Sequence, residues 1–134
     1  MASTPTISTA SLKKAQYINL TTFRKSGEGV ATPVWFAEHD SQLFVFTFIK
    51  TGKVKRVRNS DRVTVASCNA RGVVKGPTIA GTATLLESEA ERVAARQVLQ
   101  RKYGLIWRVW QLFAIRGKLA QTTIIAITST PAIQ

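Results

Sequence analysis

A mainly β fold, a small barrel of about six antiparallel strands with short helices, follows from three features of this 134-residue chain. Short runs rich in β-branched and aromatic residues recur from Tyr17 to Thr128. Glycine-, asparagine- and aspartate-bearing turns separate most of them too closely for the crossover helices of a parallel sheet. The two longer helical patterns come late, after Ser88, so strands and helices do not alternate. The length suits one domain with a single core.

Met1–Ser11 is rich in Ser, Thr and Ala and reads as a flexible lead-in, leaving residues 12–134 as the single domain. Leu12–Gln16 reads as a short helical turn. Tyr17–Phe23 alternates and is rich in β-formers, which predicts the first strand. Ser26-Gly-Glu-Gly29 turns the chain into a second strand, Val30–Glu38, where Pro33 demands an edge or a bulge because it donates no ladder hydrogen bond. After the turn His39–Gln42, Leu43–Phe48 is the third strand. A short basic helix over Thr51–Asn59 leads to a fourth strand, Arg62–Cys68. The loop Asn69–Gly76 carries Gly72 and Gly76, and Pro77–Leu86 is the fifth strand.

Ser88 and Glu91 then form a capping box, with Glu89 and Glu91 suited to the positive end of the helix dipole. Ala90, Val93, Ala94, Val98 and Leu99 supply an apolar face, and Gly104 stops this helix after Tyr103. A second helix runs Ile106–Ile115 and ends at Gly117. Thr122–Thr128 is the last strand.

Composition narrows the function. Nineteen Lys and Arg face seven Asp and Glu, a formal net charge of +12. That imbalance calls for an anionic partner: nucleic acid, a membrane surface, or a phosphorylated or carboxylated small molecule. Cys68 is the only cysteine, which excludes an internal disulfide and a cysteine-based zinc site and suits a reducing cytoplasm. No uncharged apolar run is long enough to span a bilayer, and the N-terminus lacks the order of a signal peptide. With one histidine, His39, placed in a turn, no multi-histidine metal site can form, and no Ser-His-Asp or paired-carboxylate pattern is visible. No catalytic residue can therefore be named, and enzymatic chemistry would come from a bound cofactor.

The basic helix is the sharpest signal. Lys50, Lys53, Lys55, Arg56, Arg58 and Arg62 fall within thirteen positions, with only Asp61 opposing them. A strand that runs through Thr51-Gly52 into a helix presents unpaired N–H groups and a partial positive charge, which suit a phosphate. A solvated charged helix is the plain alternative. Val54 and Val57 would anchor it, with Lys53 and Arg56 on one flank and Lys55 and Arg58 on the other.

Several local sequences occur in an order that resembles a family. Thr22-Phe-Arg-Lys-Ser-Gly-Glu28, Thr32-Pro-Val-Trp-Phe36, Leu43–Thr47, Thr51-Gly-Lys-Val-Lys-Arg-Val-Arg58 and Arg62-Val-Thr-Val65, followed by a Gly81-containing fifth strand, are similar to the pyridoxamine 5'-phosphate oxidase-like split β-barrel superfamily. The branch they resemble most is the small deazaflavin (coenzyme F-420) dependent reductases. The resemblance implies an FMN-binding-like split β-barrel that forms a homodimer, with two flavin-type cofactors in grooves at the dimer interface. It implies that Thr32, Pro33, Val34 and Trp35 lie along the cofactor ring, that Thr47 bonds the ring or the ribityl chain, and that Thr51 and Lys53 seat the phosphate with Lys55 and Arg56 assisting. The expected activity is hydride transfer from reduced F-420 to an unsaturated or quinone-like organic substrate. An acidic oligoglutamate tail on that cofactor would suit a chain of charge +12.

Other readings remain beside this one. FMN shares the ribityl-phosphate stem, and a non-catalytic flavin-, haem- or tetrapyrrole-binding protein needs no acid–base residue. Trp35 is equally ordinary core or interface filler without the resemblance. Trp107, Trp110 and Phe113 read first as buried in the core or at an interface, and second as a membrane-surface helix. Phe44, Phe46 and Phe48 read as core filler, not as stacking platforms for nucleic acid. Cys68 reads as a small buried apolar residue.

Overall fold

The computed structural model describes residues 17–39, 41–113 and 122–129, and of 110–113 and 129 only the backbone. Met1–Ser11, Leu12–Gln16, Asp40, Ile115 and Gly117 lie outside the described residues, as do the side chains of Trp110 and Phe113. Strands β1 (Tyr17–Phe23), β2 (Gly29–His39) and β3 (Gln42–Phe48) precede helix α1 (Gly52–Asn59). Strands β4 (Arg62–Cys68) and β5 (Ile79–Leu85), helices α2 (Glu89–Tyr103) and α3 (Leu105–Phe113), and strand β6 (Thr122–Ser129) complete the chain. The six strands close an antiparallel barrel in the order β1-β2-β3-β6-β5-β4, with β4 returning to β1.

The barrel splits along β2. This 11-residue strand is longer than its neighbours and serves each in turn. Its first part pairs with β1, from Phe23↔Gly29 to Tyr17↔Trp35, and its last part pairs with β3, from Phe36↔Val45 to His39↔Gln42. The β2–β3 ladder stops there, while β3 continues against β6 as far as Phe48↔Thr122. Pro33 sits within the stretch that has no β3 partner, the position its missing N–H tolerates. A cleft therefore opens between Pro33–Trp35 and Phe46–Phe48.

Two apolar layers hold this arrangement. Inside the barrel, alternate residues such as Ile18 and Leu20 of β1, Val34 and Phe36 of β2, and Ile125 and Ile127 of β6 form the core, and Val54 and Val57 of α1 join it. Outside, Ala95, Val98, Leu99 and Tyr103 of α2, with Trp107 of α3, cover Ala37, Phe44, Phe46, Ile124 and Ala126. Each fully buried large side chain contributes about 1.5–3 kcal/mol. Phe44 and Phe46 are thus buried as expected, though under the helices and not inside the barrel. Burial on both faces explains why Leu43–Phe48 reads as an almost continuous apolar run.

The strand and helix positions match the sequence reading closely, and Ser88 accepts a hydrogen bond from the Glu91 N–H as its capping box requires. The face of α2 differs. Ala90, Val93 and Ala94 are exposed, while Ala95, Val98, Leu99 and Tyr103 are buried. Arg92 and Arg96 account for the rotation. Their side chains lie largely covered while both heads bond Glu89, so arginine stems occupy ground that the apolar pattern assigned to alanine and valine.

Candidate functional site

The cleft at the split is a groove of about 280 Å³ lined by Pro33, Val34, Trp35, Phe46, Thr47, Phe48 and Lys53. Successive strand residues point to opposite faces, so Phe46, Thr47 and Phe48 can share a lining only at a strand edge. One wall is aromatic. Trp35 stacks on Tyr103 with ring centroids 4.6 Å apart and planes inclined by 14°. Tyr103 is itself fixed: its hydroxyl accepts from the Phe36 N–H at 3.0 Å and donates to the Phe36 C=O at 2.8 Å. The C-terminus of α2 thereby sets the plane of a groove-wall ring.

The same lining carries a cation. Lys53, one residue into α1, reaches back to donate from Nζ to the Thr47 hydroxyl at 3.3 Å. Burial, and then the neighbouring Arg56 charge, hold its ammonium below the usual lysine range. Two cations kept together at a half-buried site favour an anion between or beside them. Thr51 precedes the helix in an extended conformation, and its hydroxyl donates to the Phe48 C=O at 3.1 Å instead of capping. That bond ties the start of α1 to the end of β3.

Of the residues singled out from sequence, the structure brings Pro33, Val34, Trp35, Thr47 and Lys53 together in one groove. Thr32 lies outside the lining, paired with Leu20 of β1. Thr51 is not among the lining residues and sits at the β3–α1 junction. Lys55 is exposed on α1. Arg56 is engaged elsewhere: its Nε donates to Thr22 Oγ1 at 2.6 Å, and Thr22 is fully buried in β1. The guanidinium also crosses the first residue of the helix, where a Cβ on Gly52 would meet Nη1 at 2.7 Å.

Sequence reasoning missed Phe46 and Phe48 as lining residues, and Tyr103 as the support of Trp35. Three consecutive residues lining one groove was a signal available only once the end of the β2–β3 ladder was known. His39 lines a different cavity, with Gln42 and Phe44. Among the described residues no group of His, Cys, Asp and Glu could hold a metal ion, and no helix is long and apolar enough to cross a membrane.

Comparison with known proteins agrees with the fold. The profile of the pyridoxamine 5'-phosphate oxidase family matches residues 6–130. No curated protein matches the chain. Among solved structures, a candidate pyridoxamine 5'-phosphate oxidase from Listeria innocua is 19% identical, with a TM-score of 0.66 over 94% of this chain and 93% of its own. An FAD-binding protein from Mesorhizobium loti is 16% identical, with a TM-score of 0.66 over 91% of this chain and 86% of its own. HutZ, the haem storage protein of Vibrio cholerae, is 15% identical, with a TM-score of 0.65 over 100% of this chain and 93% of its own. At these identities the likeness is one of fold.

Proposed function

This chain belongs to the pyridoxamine 5'-phosphate oxidase family, and from that membership and the groove we propose that it is an oxidoreductase using a flavin-type cofactor, with reduced coenzyme F-420 the leading candidate and an unsaturated or quinone-like organic molecule the substrate. The observation that carries the reading is the presence of aromatic rings, Trp35 with Phe46 and Phe48, and of the half-buried Lys53 ammonium in the lining of one groove. A flat ring bearing a phosphate combines the same apolar and anionic needs, so the residues present fit it. When bound, the cofactor supplies the hydride that reduces an electrophilic substrate.

The chain's own residues bind and orient. Lys53 would hold the phosphate through a charge-assisted hydrogen bond, and the first-turn N–H groups of α1 would add their partial positive charge. Thr47 holds the Lys53 ammonium on one side and offers its hydroxyl to the ring or its stem. Trp35, pinned by Tyr103, keeps water from one ring face. Arg56 raises the local potential without leaving Thr22. The net charge of +12 supports the cofactor with an acidic tail over FMN. The reading includes a homodimer whose second copy completes the groove, and a cytoplasmic setting consistent with the buried thiol of Cys68.

Titration of the purified protein with F-420 and with FMN, followed by fluorescence, tests it. F-420 binds more tightly, raised salt weakens it, and Lys53→Ala weakens it by about 10- to 100-fold, the value of one charge-assisted bond. FMN binding with little affinity for F-420 would move the assignment to an FMN flavoprotein on this fold, whose reduced form air reoxidises readily. Binding of neither would overturn the cofactor reading.

A further inference from the structure

The corner where α2 meets α3 joins apolar and cationic groups that the groove does not use. Leu105, Ile106 and Val109 are 73%, 57% and 46% exposed, half of the large apolar side chains exposed among the described residues. At about 100° per residue they fall within one arc of α3, roughly opposite Trp107. Trp107 is 1% exposed and meets the Phe46 ring edge-on at 5.0 Å, so it fixes which face of α3 looks outward. Beside the arc is a cavity of about 570 Å³ lined by Gln97, Gln100, Arg101, Gly104, Leu105 and Arg108. Among the described residues no acidic side chain lines it. Glu89 lies in the first turn of α2, about 20 Å from Gly104 at 1.5 Å per residue, and Glu91 shares a neighbouring cavity with Arg101.

We propose that this corner docks on the headgroup layer of an anionic bilayer. Arg101 and Arg108 engage lipid phosphates at the cavity, and Leu105, Ile106 and Val109 enter the boundary between headgroups and acyl chains. Charge complementarity selects this occupant. A second copy packed symmetrically here would set the same arginines against each other on two chains of charge +12. A polynucleotide would satisfy the arginines and leave the three apolar side chains in water. The corner presents a different face from the one on which sequence reading placed the membrane alternative, because Trp107 is turned inward. The proposal is independent of the cofactor assignment.

Co-sedimentation of the full chain with vesicles tests it, comparing phosphatidylcholine alone with phosphatidylcholine containing phosphatidylglycerol. The chain sediments with the anionic vesicles, less at raised salt, and stays in solution with phosphatidylcholine alone. Arg101→Gln with Arg108→Gln lowers the partition coefficient by roughly 25-fold, about fivefold for each arginine near the surface. Ile106→Ser with Val109→Ser lowers it at least about tenfold. Both double variants keep the wild-type urea midpoint, since these side chains already face water. Equal sedimentation of wild type and variants, no binding to anionic vesicles, or a wild-type dimer that Ile106→Ser with Val109→Ser dissociates would each overturn the proposal, the last by assigning the face to a second copy.

Discussion

Replacing Tyr103 with Phe deletes one oxygen and keeps the ring that stacks on Trp35. That oxygen accepts from the Phe36 N–H at 3.0 Å and donates to the Phe36 C=O at 2.8 Å, and Phe36 is 0% exposed. The bonds stand where β2 has passed Tyr17, its last β1 partner among the described residues, so the hydroxyl satisfies backbone groups that no described strand pairs. Its loss strands two buried backbone groups at about 1–2 kcal/mol each, or about 3 kcal/mol together. With a urea slope of about 1–3 kcal/mol/M, the unfolding midpoint falls by about 1–3 M. Equilibrium urea denaturation, read by tryptophan fluorescence and circular dichroism, measures it. A loss below about 1 kcal/mol would refute the argument that the hydroxyl satisfies these groups. The groove supplies a second readout. Tyr103→Phe leaves cofactor affinity near wild type because Trp35 keeps its stacking partner, whereas Tyr103→Ala lowers stability and affinity together.

Lys102 controls a pH dependence of stability: its buried Nζ has no hydrogen-bond partner among the described residues, lies 3.5 Å from the Phe36 ring centroid, and burial holds its pKa down to about 8 despite the opposing pull of Glu38. An unfolded lysine titrates near about 10.4, so between these values the unfolded chain binds more protons and stability rises with pH. Lys102→Met flattens that rise and stabilises the protein at pH ~7, as urea midpoints at pH ~7 and ~9.5 will report; an unchanged slope in the variant removes Lys102 as its source. The measurement belongs below pH ~10, because Tyr103, whose pKa burial pushes up to about 12, acts in the opposite sense above that pH. In Gly81→Ala the new Cβ meets the Thr128 carbonyl oxygen at 2.9 Å and Ile127 Cγ2 at 3.1 Å, so β5 and β6 must part. The expected loss is about 1–3 kcal/mol, and a thermal midpoint equal to wild type would show that the barrel yields there freely.

Local chemistry in the sequence was enough to place the elements. Alternation located β1 at Tyr17–Phe23, and the Ser88–Glu91 box located the start of α2. Pro33 announced an edge, and the Thr51–Arg58 segment announced a cationic helix. These features depend on residues within a few positions of each other, where periodicity and capping act. The remaining decisions were made by contacts across the chain. Nothing in the run Gly29–His39 marks where it leaves one neighbour for the other; that point depends on where β1 and β3 end. Arg56 turns to Thr22, 34 residues away, and Tyr103 to Phe36, 67 residues away, because closure of the barrel brings buried backbone and hydroxyl groups within reach of them. Only the tertiary structure could choose the outward faces of α2 and α3, since several faces of each helix carry apolar residues and burial goes to the one that fits the barrel wall. The sequence by itself determined a barrel with a phosphate-suited helix, and the fold decided which of its cations and rings share a groove.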